Sequence, residues 1–136
     1  MKTLTDIYTS FIRPIFDYAA PSYHTLLTDK QAESLERLQR ATLKTIHGFD
    51  LSYNECLERS GIPSLRNRRG ELFERFVTKT YESNTFKERW FKEKEKSSYN
   101  LRHEEVVVQN FASCERLQNA PIYRFRQLVN NREKKK

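Results

Sequence analysis

The stretch Thr28-Asp29-Lys30-Gln31-Ala32-Glu33-Ser34-Leu35-Glu36-Arg37-Leu38-Gln39-Arg40-Ala41-Thr42-Leu43-Lys44-Thr45-Ile46-His47-Gly48 decides the fold class. Thr28 is followed three residues later by Gln31, so each side chain can satisfy a free backbone N–H of a first helical turn. Ala32, Leu35, Leu38, Thr42, Leu43 and Ile46 recur at spacings of three and four, which predicts a helix with one buried stripe. Glu33 with Arg37, and Glu36 with Arg40, are i,i+4 pairs in the favourable order. Gly48 stands where a left-handed C-cap would end the helix.

The same grammar extends outward in both directions. Toward the N-terminus, Leu4, Ile7, Tyr8, Phe11, Ile12, Ile15, Phe16, Tyr18 and Ala19 predict a first helix from about Leu4 to Tyr18 with a broad apolar face, kinked or interrupted at Pro14 and closed by Pro21. Toward the C-terminus, Ser52 and Glu55 form a second capping box and Gly61 stops a short helix. Ser64 is the N-cap of a longer helix with Leu65, Leu72, Phe73, Phe76, Val77, Thr80 and Tyr81 on its apolar face. Its first turn holds Arg66, Arg68 and Arg69, which oppose the helix dipole and so call for a compensating partner. Thr85 and Glu88 suggest a third box before Phe86, Trp90 and Phe91. The charged run Lys92 to Ser98 reads as a hinge, and Tyr99 to His103 and Val106 to Val108 as extended chain. Asn119-Ala120-Pro121 opens a last short helix with Ile122, Phe125, Leu128 and Val129 on one face.

The expected class is therefore mostly α: a small irregular bundle of about four to six helices with an extended basic C-terminal segment. The expected organisation is a helical module over residues 1–96 and, over 97–136, a tail with a short terminal helix. Three glycines in 136 residues leave little for phosphate loops or tight hairpins. No apolar run approaches the roughly 20 residues that span a bilayer, and the N-terminus lacks the apolar core of a secretory signal. A soluble intracellular protein, nuclear or cytoplasmic, is the expectation. Cys56 and Cys114 have neither the number nor the spacing of a disulfide framework or zinc site and read as buried free thiols. His24, His47 and His103 lie far apart, and no phosphate loop, nucleophile elbow or His-Glu-x-x-His motif occurs. No metal, cofactor or catalytic residue is expected, and the residues alone describe a helical binding or scaffold module.

Charge suggests what it binds. The net charge is +7, and residues 64–136 hold 18 of the 25 basic side chains against 10 of the 18 acidic ones. A basic half on a mixed-charge chain is the footprint expected of polyanion binding, because each neutralised phosphate releases condensed counterions. Arg37, Arg40 and Lys44 step along one helix as a basic ridge, or else pair with acids on a solvated face. Arg66, Arg68 and Arg69 form a denser cluster whose forked guanidinium groups match phosphate oxygens. Tyr99, Arg102 and His103 combine a stacking ring with cations, a workable platform for single strands, unless Tyr99 packs back onto the helices.

Several of these strings, in order, resemble one family. Ile7-Tyr8-Thr9-Ser10-Phe11-Ile12-Arg13-Pro14-Ile15-Phe16-Asp17-Tyr18-Ala19-Ala20-Pro21 looks like the segment following the polymerase core of non-LTR (LINE-type) retrotransposon reverse transcriptases, roughly Leu-Tyr-x-Ser-x-Ile-Arg-Pro-x-Leu-Glu-Tyr-Ala-x-Pro. Leu35 to Gly48 is similar to the family's Leu-Glu-x-Val-Gln-Arg-x-Ala-x-Arg-x-Ile-x-Gly. Ser52 to Leu57 through Gly61 to Leu65 with Arg68-Arg69 resembles Tyr-x-Glu-x-Leu-x-x-Leu-Gly-Leu-Pro-Ser-Leu-x-x-Arg-Arg, and Tyr99-Asn100-Leu101-Arg102, Cys114-Glu115-Arg116 and Ile122 to Asn130 match its C-terminal end.

The resemblance covers nearly the whole chain and implies a thumb-like region beyond the palm, expected to hold an RNA/DNA template and primer. The chain departs from the family in lacking the palm's Tyr-x-Asp-Asp, and it contains no Asp-Asp pair. Phosphoryl transfer of this kind needs carboxylates to hold two Mg²⁺ ions, so the segment alone is expected to be noncatalytic. Two other readings stand beside a nucleic-acid-binding one. The chain could be a helical protein-interaction module, with a polymerase palm or another chain as partner, or a nonfunctional retroelement remnant. A thumb cut from its polymerase would expose apolar surface, for example around Phe86, Trp90 and Phe91, and would tend to self-associate.

Overall fold

A computed structural model describes residues 2–92, 107–109 and 112–133. The described chain is 76% helical, so the expected mostly-α class holds. Its internal contacts divide it into two compact units, residues 1–72 and 73–136. The expected boundary at 96/97 lies outside the described residues, as do all of the Lys92–Ser98 hinge but Lys92, the extended stretch Tyr99–His103, and Val106 of the stretch Val106–Val108. The division between the two units falls within one continuous helix, α6 (Leu65–Glu82).

The first unit opens with α1 (Lys2–Ile7), a π-helical turn (Tyr8–Ile12) and α2 (Arg13–Asp17). Pro14 is the reason for the change of helix type. Its ring would clash with the carbonyl four residues back, and it has no N–H to donate. The chain widens by one residue just before it, so the Arg13 N–H donates to the Tyr8 carbonyl, the i→i+5 bond of a π turn. Pro14 then sits in the first turn of α2, where a missing N–H costs nothing. Pro21 does not close the segment as expected. It lies in the first turn of a further one-turn helix, α3 (Ala20–Tyr23), entered through Ala19 in the left-handed region at φ 53°.

Both capping boxes form. Gln31 N–H donates to Thr28 Oγ1 and Thr28 N–H to Gln31 Oε1 at the start of α4 (Asp29–His47). Ser52 and Glu55 do the same for α5 (Tyr53–Ser60). Gly61 ends α5 at φ 65°, and Gly48 ends α4 at φ 114°, ψ 147°, a conformation that only glycine adopts easily.

The buried line of α4 is not the expected one. It runs through Ala32, Glu36, Gln39 and Leu43, while Leu38 is 55% exposed. Two polar residues occupy core positions because distant groups satisfy them. Tyr8 Oη donates to Gln39 Oε1 (3.0 Å), and Gln39 Nε2 donates to the Pro63 carbonyl (3.0 Å). Around this chain pack Tyr8, Leu43, Cys56 and Ile62, with Ile46, Leu51, Tyr53 and Leu57 at the margin.

The apolar face of the first segment is likewise not core. Tyr8 alone of its large side chains is buried, whereas Leu4, Ile7, Phe11, Ile12, Ile15 and Tyr18 are exposed.

The second unit is built on the C-terminal part of α6 (Leu65–Glu82), with α7 (Asn84–Trp90), α8 (Glu115–Gln118) and α9 (Pro121–Glu133). The expected Thr85–Glu88 box does not form. Ser83 is the N-cap, its carbonyl accepting from Phe86 and Lys87, so the helix has begun before Thr85. Phe73, Val77, Phe91, Val107, Phe125 and Val129 form the core. Phe125 is its hub, with ring centroids 5.1 Å from Phe73, 5.5 Å from Phe76 and 6.3 Å from Trp90. Buried Asn130 holds Val107 at two points, accepting its N–H (2.9 Å) and donating to its carbonyl (3.1 Å). Of the aromatic trio, Phe91 is buried, Trp90 half-buried and Phe86 exposed. Cys56 is a buried free thiol as expected; Cys114 is exposed, correcting that expectation, because it lies just outside α8 in a stretch from Ser113 to Gln118 with every residue exposed.

Candidate nucleic-acid interface

Two of the three expected basic groups fall within the described residues, both in the first unit. Tyr99, Arg102 and His103 lie outside the described residues.

On α4, Arg37, Arg40 and Lys44 share one side of the helix, as their spacings of three and four require. Arg37 is exposed, and Arg40 and Lys44 are half-buried. The anticipated Glu33–Arg37 and Glu36–Arg40 pairs do not form. Arg40 reaches back two turns to Glu33 (3.3 Å) and lies over the Tyr53 ring, 5.1 Å from its centroid. Among the described residues, Arg37 and Lys44 have no acidic partner. Seven residues apart, they stand about 10 Å from each other along the axis, roughly two turns.

The α6 cluster is organised differently. Ser64 caps the helix, its Oγ accepting the Asn67 N–H (3.2 Å). The compensating partner that three N-terminal arginines demand is the Glu36 carboxylate of α4. Its Oε1 accepts the Arg66 N–H at 2.6 Å, and its Oε2 accepts the Tyr53 hydroxyl at 2.7 Å. Burial and this hydrogen bond raise the Tyr53 pKa well above the usual phenol value. Tyr8, pushed up to about 12 by burial, is likewise a neutral donor at any physiological pH.

Arg66 pairs with Asp29 (3.0 Å), and Arg68 with Asp17 (3.2 Å) and Glu71 (3.7 Å). Arg69 is only 1% exposed, and its Nε and Nη1 have no acceptor among the described residues. It therefore presents no surface to an external phosphate, and the expected surface triad reduces to two paired arginines. His24 feels the cluster from nearby. Burial, then Arg69 and Arg66, lower its pKa from 6.5 and favour the neutral imidazole.

Between these helices lies a cavity of about 270 Å³ lined by Glu33, Glu36, Arg40, Tyr53, Ser64 and Arg66. Two carboxylates balance two guanidinium groups there, and Glu36 already occupies the helix N-terminus, so an anion gains no net charge by entering. Among the described residues no group of His, Cys, Asp and Glu side chains could hold a metal ion, and no helix is long and apolar enough to cross a membrane.

Reading along the sequence missed Glu36, Asp17 and Asp29 as the partners of the α6 arginines. They precede those arginines by 30 or more positions, and no local spacing rule connects them. Comparison with protein-family models, with curated proteins and with solved structures finds no match to this chain.

Proposed function

We propose that this chain is a noncatalytic nucleic-acid-binding segment of the kind that follows the polymerase core in the reverse transcriptases it resembles. It grips the RNA/DNA template-primer backbone with little sequence preference. The observation that carries this reading is the pair Arg37 and Lys44, two cations on one side of α4 without acidic partners among the described residues, with Arg40 between them. A helix ridge of this kind meets phosphates by charge and shape and carries no base readout. The excess of +7 over the whole chain supplies the long-range attraction. Arg66 and Arg68 are secondary, because each must leave an aspartate to meet a phosphate. Binding is the activity that this ridge of side chains supports.

The experiment is fluorescence anisotropy of the whole chain against a labelled RNA hairpin, an RNA–DNA duplex and single-stranded DNA over a salt series. Charge reversal at Arg37 and Lys44 should weaken binding to every sequence alike and lower the salt slope by about two, one for each phosphate no longer neutralised. Arg66→Ala should change it little. An affinity untouched by the α4 double variant sinks the proposal, as does binding that vanishes at modest salt.

A further inference from the structure

The first helical segment presents apolar surface that nothing in its own unit covers. Phe11 and Ile15 are each 72% exposed and Tyr18 82%, and Leu4, Ile7 and Ile12 are exposed beside them. A whole aromatic side chain covers about 150–250 Å² and an aliphatic one somewhat less, so these exposures sum to a surface on the order of 600 Å². That is the upper end of the largest patch on an ordinary monomer and close to the roughly 800 Å² per partner of a standard stable interface.

The patch is poor in charge as well as rich in carbon. Of the exposed residues from Thr3 to Ala19, only Asp6 is ionised, in a chain with 32% charged residues. A nucleic acid has nothing to hold here, whereas an apolar surface would bury it at little desolvation cost.

The order of the side chains indicates which surface. Leu4, Ile7, Phe11, Ile15 and Tyr18 are separated by three, four, four and three residues, a spacing that reads the same in both directions. The π turn over Tyr8–Ile12 takes in an extra residue, which suits the four-residue steps from Ile7 to Phe11 to Ile15 better than 3.6 residues per turn does. A stripe that is symmetric on reversal is complementary to itself in an antiparallel pair, the isologous contact of a two-fold dimer.

We propose that two copies of this chain pair antiparallel through residues 4–18, with Phe11 facing Phe11 on the two-fold axis, Ile7 facing Ile15, and Leu4 facing Tyr18. Thr3, Ser10 and Pro14, all exposed and uncharged, flank the stripe and let the two helices approach.

Sedimentation equilibrium of the whole chain from low to high micromolar concentration tests the pairing. The unaltered chain should behave as a monomer–dimer system. Phe11→Asp, which sets two carboxylates against each other on the axis, should be monomeric throughout with an unchanged helical circular dichroism spectrum, since Phe11 is 72% exposed and outside the core of its own unit. Disulfide trapping in a Cys114→Ser background tests the register. Phe11→Cys should cross-link to itself on mild oxidation, and Leu4→Cys should cross-link to Tyr18→Cys in a mixture far faster than to itself. A monomer at every concentration overturns the proposal, meaning that the stripe meets a different protein or none. A dimer that survives Phe11→Asp overturns the interface, and self-cross-linking of Leu4→Cys as fast as that of Phe11→Cys overturns the antiparallel register.

Discussion

Glu36 Oε1 accepts the backbone N–H of Arg66 at 2.6 Å, so a carboxylate from the middle of α4 sits on the positive end of α6. Its other oxygen holds the Tyr53 hydroxyl of α5 at 2.7 Å. One side chain thus ties three helices together and offsets the arginines that crowd the first turn of α6. Glu36→Ala would leave a backbone N–H and a phenol hydroxyl without acceptors. It should cost about 3–6 kcal/mol, two hydrogen bonds to a charged group, read as a lower urea midpoint. Glu36→Gln keeps an acceptor for the Arg66 N–H and should cost less than half as much. Equal losses in the two variants would show that packing, rather than hydrogen bonding, makes Glu36 matter.

What could be read from the sequence was whatever rests on neighbours along the chain. The boxes at Thr28–Gln31 and Ser52–Glu55, the stop at Gly61 and the Ser64 cap are set within three or four residues, and all four form as read; Gly48 ends α4 where expected, but at φ 114° and ψ 147° rather than in the left-handed helical conformation. The choice of buried face was not legible in the same way. Periodicity identifies an apolar stripe, as on residues 4–18, but does not say whether anything covers it. It also passes over polar residues such as Glu36 and Gln39, whose burial depends on Tyr53, Arg66, Tyr8 and Pro63 far along the sequence. Arg69 was misplaced for the same reason: its neighbours Arg66 and Arg68 are exposed and half-buried on the same turn, and only the three-dimensional structure puts it inside. For the candidate site, then, residue types and the α4 spacing were visible, and the ion pairs that decide which cations remain available were not.

Arg69 offers a direct stability test. A guanidinium buried with Nε and Nη1 unbonded among the described residues bears a desolvation penalty without the hydrogen bonds that normally offset it. Arg69→Met keeps much of the length and removes the charge. It should stabilise the chain by about 1–3 kcal/mol, the cost of unsatisfied buried donors, seen as a higher thermal midpoint. Destabilisation by a similar amount would mean that Arg69 has an acceptor in solution.

Gly48 and Gly61 both have positive φ, and a Cβ added at either would meet no atom within 4 Å. Any penalty for alanine is therefore backbone strain alone. Gly61 is in the left-handed region, where alanine costs about 1–2 kcal/mol. Gly48, at φ 114° and ψ 147°, lies where side-chain-bearing residues are nearly absent and the penalty reaches about 3 kcal/mol. Gly48→Ala should lower the denaturation midpoint more than Gly61→Ala, and Gly61→Asn should be nearly neutral. The reverse ranking would contradict the C-cap geometry of α4.

The His24 imidazole links the buried arginine to pH. Burial is the larger cause of its lowered pKa, and Arg69 and Arg66 add to it. The fold therefore prefers neutral His24, and between the lowered native value and about 6.5 the unfolded chain binds more protons. Stability from this group is complete above pH 6.5 and declines as pH falls through the native pKa. His24→Gln should flatten that part of the stability–pH curve. In Arg69→Met the native His24 pKa, followed by NMR through its ring proton, should rise toward 6.5 without reaching it, because removing one cation leaves both the burial and Arg66 in place. A pKa that does not move would separate His24 from Arg69, and full recovery to 6.5 would mean that charge rather than burial sets it.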